Sequence, residues 1–318
     1  MPEKIIFDTD PGIDDAMALL FAHQSPAIDI VGVTTVLGNG TIDRVTENAL
    51  YICERFGIDA PVHQGAAAPL LVEADDPPAF VHGDDALGNI QPATPTHTIG
   101  DQYAAGYIVD TILQHPHDIT LVAVGRLTNL AMALRINPDI AGLVKQVVIM
   151  GGALGTNRFT GNVSPVAEAN IHGDPHAADI VMTAPWPVTL VGLDVTMQCV
   201  MGSDQLANLR TCAGEAGEFI WEITRHYENF YRNTHGVDGF AVHDSCAVAY
   251  VLAPDLFEVE RGRVRVVTDG ISRGQTIFVP AEKKFPPSAW DDIPSQLGCV
   301  GVDAPALLAL YQETLART

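Results

Sequence analysis

Four aspartates crowd one short stretch near the start of the chain, Asp8-Thr9-Asp10-Pro11-Gly12-Ile13-Asp14-Asp15. The apolar run Ile5-Ile6-Phe7 leads into them as a β-strand, and Met17-Ala18-Leu19-Leu20-Phe21-Ala22 follows as a buried helix. So much negative charge at the tip of a buried strand is costly unless a cation offsets it. The simplest partner is a divalent metal, and oxygen-only ligands select hard ions such as Ca²⁺ or Mg²⁺. Asp14 and Asp15 also suit the first turn of a helix, where the dipole favours acids. That plainer account leaves Asp8 and Asp10, on one side of a strand, unexplained. An EF-hand does not fit, because the loop departs from the twelve-residue ligand pattern and follows a strand.

Other residues could join this chemistry. His243-Asp244 opens the apolar helix that continues Ser245-Cys246-Ala247-Val248. Capping and packing explain that pair on their own, and it gains weight if Asp244 completes a metal shell with Asp10 and Asp15. Glu168 and Asn170, at alternating positions after a Gly-rich loop, put two hydrogen-bonding groups on one side of an extended segment, which suits the cis-diol of a sugar. Asn39 follows Gly38 in a turn at the end of a β-branched run. Tyr227 and Tyr231, at i and i+4, read from spacing alone as packing residues.

The elements that must position these groups alternate. Strands are expected at 28–36, near Val62, and at 119–125, 147–150 and 188–196. Helices are expected at 42–56, 103–113, 127–134, 177–182, 203–209, 218–233 and 304–315. This is an α/β pattern, predicting an open, mostly parallel central sheet with helices on both faces. A small antiparallel pair is expected near the C-terminus, from 264–267 and 276–279. Segments 66–100, which includes His82, and 153–166 read as long functional loops. No linker, repeat or low-complexity run divides the chain, so residues 1–318 are expected to form one catalytic domain. Ligands in such sheets collect at the carboxyl ends of the strands, where the polar turns lie.

Composition narrows the partners. A formal net charge of -22, from 39 acidic and 17 basic residues, repels polyphosphate backbones and anionic membranes. Nucleic acid and membrane are therefore unexpected partners, whereas a neutral small molecule is compatible. The five cysteines are scattered and never form a C-x-x-C pair, which argues for free thiols. The chain enters a strand with no basic-plus-apolar leader, and no apolar stretch is long enough to span a bilayer, so a cytoplasmic protein is expected.

Taken together, the motifs carry a resemblance. Asp8-Thr9-Asp10-Pro11-Gly12-Ile13-Asp14-Asp15-Ala16 resembles the signature of the nucleoside hydrolases, the inosine-uridine preferring N-ribohydrolase family. The similarity continues through Thr34-Thr35-Val36-Leu37-Gly38-Asn39, Leu127-Thr128-Asn129-Leu130-Ala131, Met150-Gly151-Gly152, Val166-Ala167-Glu168-Ala169-Asn170, Val191-Gly192-Leu193-Asp194 and Val242-His243-Asp244, over nearly the whole chain. It implies Ca²⁺-dependent hydrolysis of the N-glycosidic bond of ribonucleosides in nucleoside salvage, by a homodimer or homotetramer. Carried over residue by residue, the resemblance implies that Asp10, Asp15 and Asp244 ligate Ca²⁺ together with the main-chain carbonyl of Val124. It implies that Asp14, Asn39, Asn162, Glu168 and Asn170 hold the ribose hydroxyls, with Met150 near the sugar. His243 would serve as leaving-group acid, with His82 and Tyr231 beside the base. Val124 stands where threonine is common, a change that a carbonyl ligand tolerates, and Ala169 stands where a bulkier residue is common.

The chemistry fits these residues. Breaking a ribosyl C–N bond develops positive charge on the sugar, which carboxylates stabilise, while Asp10 takes a proton from the attacking water. Two alternatives remain open. A Mg²⁺-dependent phosphohydrolase with an aspartate nucleophile needs Lys or Arg around the phosphate, and neither the Asp-rich loop nor the His243 segment supplies one. A non-catalytic nucleoside- or ribose-binding protein would need neither His243 nor a water-activating carboxylate.

Overall fold

The computed structural model describes residues 1–317. Among the described residues eleven strands form: β1 (Glu3–Thr9), β2 (Ile28–Thr35), β3 (Val62–Gln64), β4 (Ile119–Ala123), β5 (Gln146–Met150), β6 (Val188–Val191), β7 (Val200–Met201), β8 (Phe240–Ala241), β9 (Phe257–Val266), β10 (Thr276–Pro280) and β11 (Ser295–Val302). Nine of them make one sheet in the order β10-β9-β11-β6-β5-β4-β1-β2-β3, and β7 and β8 pair antiparallel apart from it. From β11 to β3 every neighbouring pair is parallel. The expected C-terminal antiparallel pair exists as β9 and β10, at the edge of the main sheet.

Alternation along β1 shows why helices cover both faces. Ile5 and Phe7 enter one apolar cluster with the helices Ile13–Gln24, His243–Leu252 and Ala304–Leu315. Ile6 enters the other, with Ala104–Gln114, Thr128–Ile136 and Pro175–Thr183. Both clusters are solvent-excluded, and burying each large apolar side chain contributes about 1.5–3 kcal/mol. Helix limits follow local chemistry. In Ile42–Phe56, the Thr41 side chain accepts from the Arg44 N–H at the start, and Gly57 in left-handed conformation (φ 66°) ends it.

One strand is shorter than its β-branched run suggests. Residues 188–196 read as continuous β, yet β6 stops at Val191 and Leu193–Thr196 is helical. The cause is tertiary: the buried Asp194 carboxylate accepts from the backbone N–H groups of Leu154 and Thr156 at 2.6 Å each, which folds the chain back over the preceding loop. The loop at 66–100 holds only one short helix, Ala79–His82.

The strand order reverses at β1. The chain runs from β1 to β2 and β3 on one side, then returns to place β4 on the other. The chain leaves β1 towards one face of the sheet and β4 towards the other, which opens a crevice at their carboxyl ends, the place where open α/β sheets bind ligands. Asp10 leaves one lip of it and Val124 the other.

Candidate active site

Asp10 sits immediately after β1, and its carboxylate is clasped by two glycines. A Cβ on Gly38 would stand 1.8 Å from Asp10 Oδ2, and one on Gly125 would stand 2.4 Å from Oδ1. Oδ2 accepts from the Asn39 N–H at 2.8 Å. Oδ1 is buried without a hydrogen-bond partner.

The next turn is built by Asp15. Its Oδ1 accepts from Thr9 Oγ1 (2.6 Å) and the Asp10 N–H (3.2 Å), and its Oδ2 accepts from the Gly12 N–H (3.0 Å) and Asn39 Nδ2 (2.9 Å). Asp15 thus serves as both helix cap and loop staple. Asp14, Asp15 and Asp244 each place a carboxylate oxygen within 4.8 Å of the others, all buried. Asp8 lies behind them, with Oδ2 accepting from Thr34 Oγ1 (2.6 Å) and Asn129 Nδ2 (2.8 Å). Asn129 also reaches Thr35 O at 2.9 Å and accepts from the Ala66 N–H at 2.9 Å, so it knots the ends of β1 and β2 to the following loop.

Electrostatics follow from this crowding. Burial, then repulsion from Asp15, raises the Asp10 carboxyl well above its ordinary range. The same two causes lift Asp14 to about 8, and burial followed by its acidic neighbours lifts Asp244. Desolvation alone raises Asp8 to about 7, against the pull of Thr34 and Asn129. A cation among these groups would favour their ionised forms.

A cavity opens above the aspartates. Asp14, Asn39, His82, Val124, Met150, Asn162, Glu168, Asn170, Tyr231, His243 and Asp244 all line it, which gathers residues from well-separated stretches of the chain. Asp10 and Asp15 are buried and do not line it. Glu168 caps the short helix Ala169–Gly173, with Oε1 accepting from the Asn170 N–H (2.9 Å) and Oε2 from the Gly152 N–H (2.9 Å). Asn170 Nδ2 donates to the carbonyl of Val124 (2.7 Å) and to that of Met150 (3.2 Å). Asn162 Oδ1 accepts from the Ala169 N–H at 3.0 Å.

The far wall is aromatic and imidazole-rich. Tyr227 and Tyr231, on the long helix Gly214–His235, meet edge to face at 5.0 Å, and the Tyr227 hydroxyl donates to Asp14 Oδ2 at 3.4 Å. His82 stacks on Tyr227 at 5.6 Å. Its Nδ1 accepts the Ile13 backbone N–H at 3.2 Å. Burial, followed by the nearby His226 and His243, pushes its pKa down to about 3. His82 is therefore neutral with its proton on Nε2, so that nitrogen can only donate. His243 is held between Tyr231 Oη (2.7 Å from Nε2) and Thr196 Oγ1 (2.8 Å from Nδ1), and burial lowers it to about 4.

Phe80, Val163, Met197 and Phe230 also line the cavity without being singled out in the sequence, and Tyr227 lines it although its spacing alone indicates packing. The helical repeat Tyr227, Phe230, Tyr231 was a usable signal for that wall. Phe80, Val163 and Met197 carry no comparable pattern.

Comparison with known proteins sharpens this arrangement. The family model for inosine-uridine preferring nucleoside hydrolase matches residues 5–309. A probable uridine nucleosidase 1 of Oryza sativa subsp. japonica is 38% identical over 315 residues, covering 98% of this chain and 96% of that one. An inosine-uridine preferring nucleoside hydrolase of Leishmania major is 41% identical over 281 residues, covering 87% of this chain and 88% of that one. Among solved structures, the plant nucleoside hydrolase PpNRh1 superposes with a TM-score of 0.96 at 37% identity, over 100% of both chains.

Proposed function

The chain belongs to the inosine-uridine preferring nucleoside hydrolase family, and from that premise we propose that it hydrolyses the N-glycosidic bond of ribonucleosides to ribose and free base, with Ca²⁺ held by its buried aspartates. The observation that carries the reading is Asp10 Oδ1, buried and unpaired beside a cluster of three more carboxylates. An oxygen-only donor set of this charge fits a hard divalent ion. Asp10, Asp15 and Asp244 would hold it by side chain, and Val124 by its carbonyl, which has a second lone pair beyond the one used by Asn170. Bound there, Ca²⁺ would offset the carboxylate repulsion and polarise a water and the ribose diol.

The chain's own residues do the rest. Asp10 Oδ1, free of donors, takes the proton of the attacking water. Asp14, Asn39, Asn162, Glu168 and Asn170 orient the ribose hydroxyls, with Met150 against the sugar. As the C–N bond lengthens, Glu168 and the aspartates stabilise the positive charge growing on the ring. His82 donates from Nε2 towards the base, and His243 acts on it through the Tyr231 hydroxyl. Because segments running from Asp14 to Asp244 meet around one cavity, residues 1–318 are proposed to form one catalytic domain.

The test is to incubate the protein with uridine, inosine, cytidine and a nucleotide, with and without chelator, and to assay reducing sugar and free phosphate. Ribose release that needs divalent cation is the expected result. Among the described residues no lysine or arginine lines the cavity, so phosphate release is not expected and would overturn the reading. Nucleoside binding without ribose release would make the protein a receptor.

A further inference from the structure

Thr196 lies outside the cavity, yet it touches the one histidine that is bound on both ring nitrogens inside it. The residue ends the short helix Leu193–Thr196 behind β6 and is fully buried. Among the described residues, the hydrogen bond found for its hydroxyl is the one to His243 Nδ1, at 2.8 Å. His243 opens the helix His243–Leu252, and its other nitrogen faces Tyr231 Oη at 2.7 Å. Three side chains from three elements thus form one line, and only the last two reach the cavity.

A proton count selects one orientation of this line. If Nδ1–H donated to Thr196, the buried hydroxyl proton of Thr196 would be left without an acceptor, which is costly. Nε2 would then take the Tyr231 proton and turn that hydroxyl away from the cavity. In the reverse orientation Thr196 donates to Nδ1, Nε2–H donates to Tyr231 Oη, and the Tyr231 proton is left to point into the cavity. The Thr196 hydroxyl and the ring N–H then both have acceptors, the one remaining proton faces the open cavity, and each bond polarises the next.

We propose that Thr196 is a positioning residue for departure of the base: its hydroxyl donates to His243 Nδ1, keeps the ring proton on Nε2, and so aims the Tyr231 hydroxyl proton at the leaving group. No proton leaves Thr196. The line delivers a polarised donor, and the base receives its hydrogen bond from Tyr231. The geometry is independent of the nucleosidase reading, and the kinetic consequence rests on it.

Two measurements test the proposal separately from that reading. Imidazole ¹⁵N shifts of the wild-type protein should show His243 as the single Nε2–H tautomer. Thr196→Val should mix the tautomers and Thr196→Ser should restore one. An Nδ1–H tautomer in the wild type, or unchanged shifts in Thr196→Val, would overturn the proposal whatever the enzyme hydrolyses. In turnover, Thr196→Val should lower kcat for uridine or inosine about 10- to 100-fold with KM nearly unchanged. It should spare 4-nitrophenyl β-D-riboside, whose leaving group departs as an anion, and Thr196→Ser should recover most of the loss. Equal losses on both substrates would reduce Thr196 to a packing residue. A wild-type protein that hydrolyses no nucleoside would instead overturn the parent reading, and the tautomer result would still stand.

Discussion

Gly38 approaches Asp10 so closely that a methyl group on it would stand 1.8 Å from Oδ2. The glycine is required by that contact alone, since its φ is not in the left-handed region. Gly38→Ala should displace the carboxylate and lower both Ca²⁺ affinity and turnover, by about 100-fold or more, because sub-ångström placement governs such sites. Calorimetric titration with Ca²⁺ and steady-state kinetics check this. Wild-type values for the variant would show that Asp10 tolerates another position.

Asp10→Asn removes the proposed proton acceptor and keeps its shape. Turnover should drop by about 1,000-fold or more, while circular dichroism and the thermal midpoint in the presence of chelator stay close to wild type. Near-normal turnover would take Asp10 out of the base role.

Asp8 and Asp15 should separate in a metal titration. Asp8 is committed to Thr34 and Asn129, and under the proposed metal site its part would be to hold the loop that carries Asp10 and Asp15. Asp8→Asn should weaken Ca²⁺ binding by less than about tenfold and Asp15→Asn by about 100-fold or more. Equal losses would put Asp8 in direct contact with the ion.

Burial raises the carboxyl groups of Asp10, Asp14, Asp15 and Asp244, Asp14 to about 8. A group whose folded pKa exceeds its unfolded value supports the fold below the unfolded value and loses that support as pH rises through the folded one. Metal-free protein should therefore lose stability between about pH 4 and pH 8. Ca²⁺ binding requires the same protons to leave, so its stabilisation grows over that range. The thermal midpoint gained with Ca²⁺ over chelator should be larger at pH 8 than at pH 5 by roughly 5 °C. A gain that is flat with pH would contradict the protonation account.

Much of this was legible in the chain because parallel strands buried on both faces leave continuous apolar runs. The helices Ile42–Phe56 and Ala304–Leu315 run as their periodicity indicates, the first between a Thr41 cap and Gly57. What could not be read depends on contacts far apart in sequence. The end of β6 is set by Asp194 reaching the 154–156 backbone. β11 escapes notice because its apolar alternation is broken by Gly298 and Gly301 and it is held by pairing with β9. In the site, the family resemblance implies Asp10, Asp15 and Asp244 as the side-chain metal ligands. The structure brings Asp14 into ligating distance with Asp15 and Asp244 and leaves Asp10 Oδ1 unpaired just below. Thr196 gave no signal, since its meeting with His243 depends on how two helix ends pack.

The reversal of strand order at β1 also sets the span of sequence that the site must close. β1 pairs on one side with β2, which begins at Ile28, and on the other with β4, which begins at Ile119. Gly125 stands against Asp10 only when β4 is docked, and Asp244 joins Asp14 and Asp15 from still further along the chain. The aspartate cluster therefore depends on contacts of high sequence separation. A cation bound among these aspartates would tie together segments far apart in the sequence, so it would stabilise the closed sheet rather than any local turn.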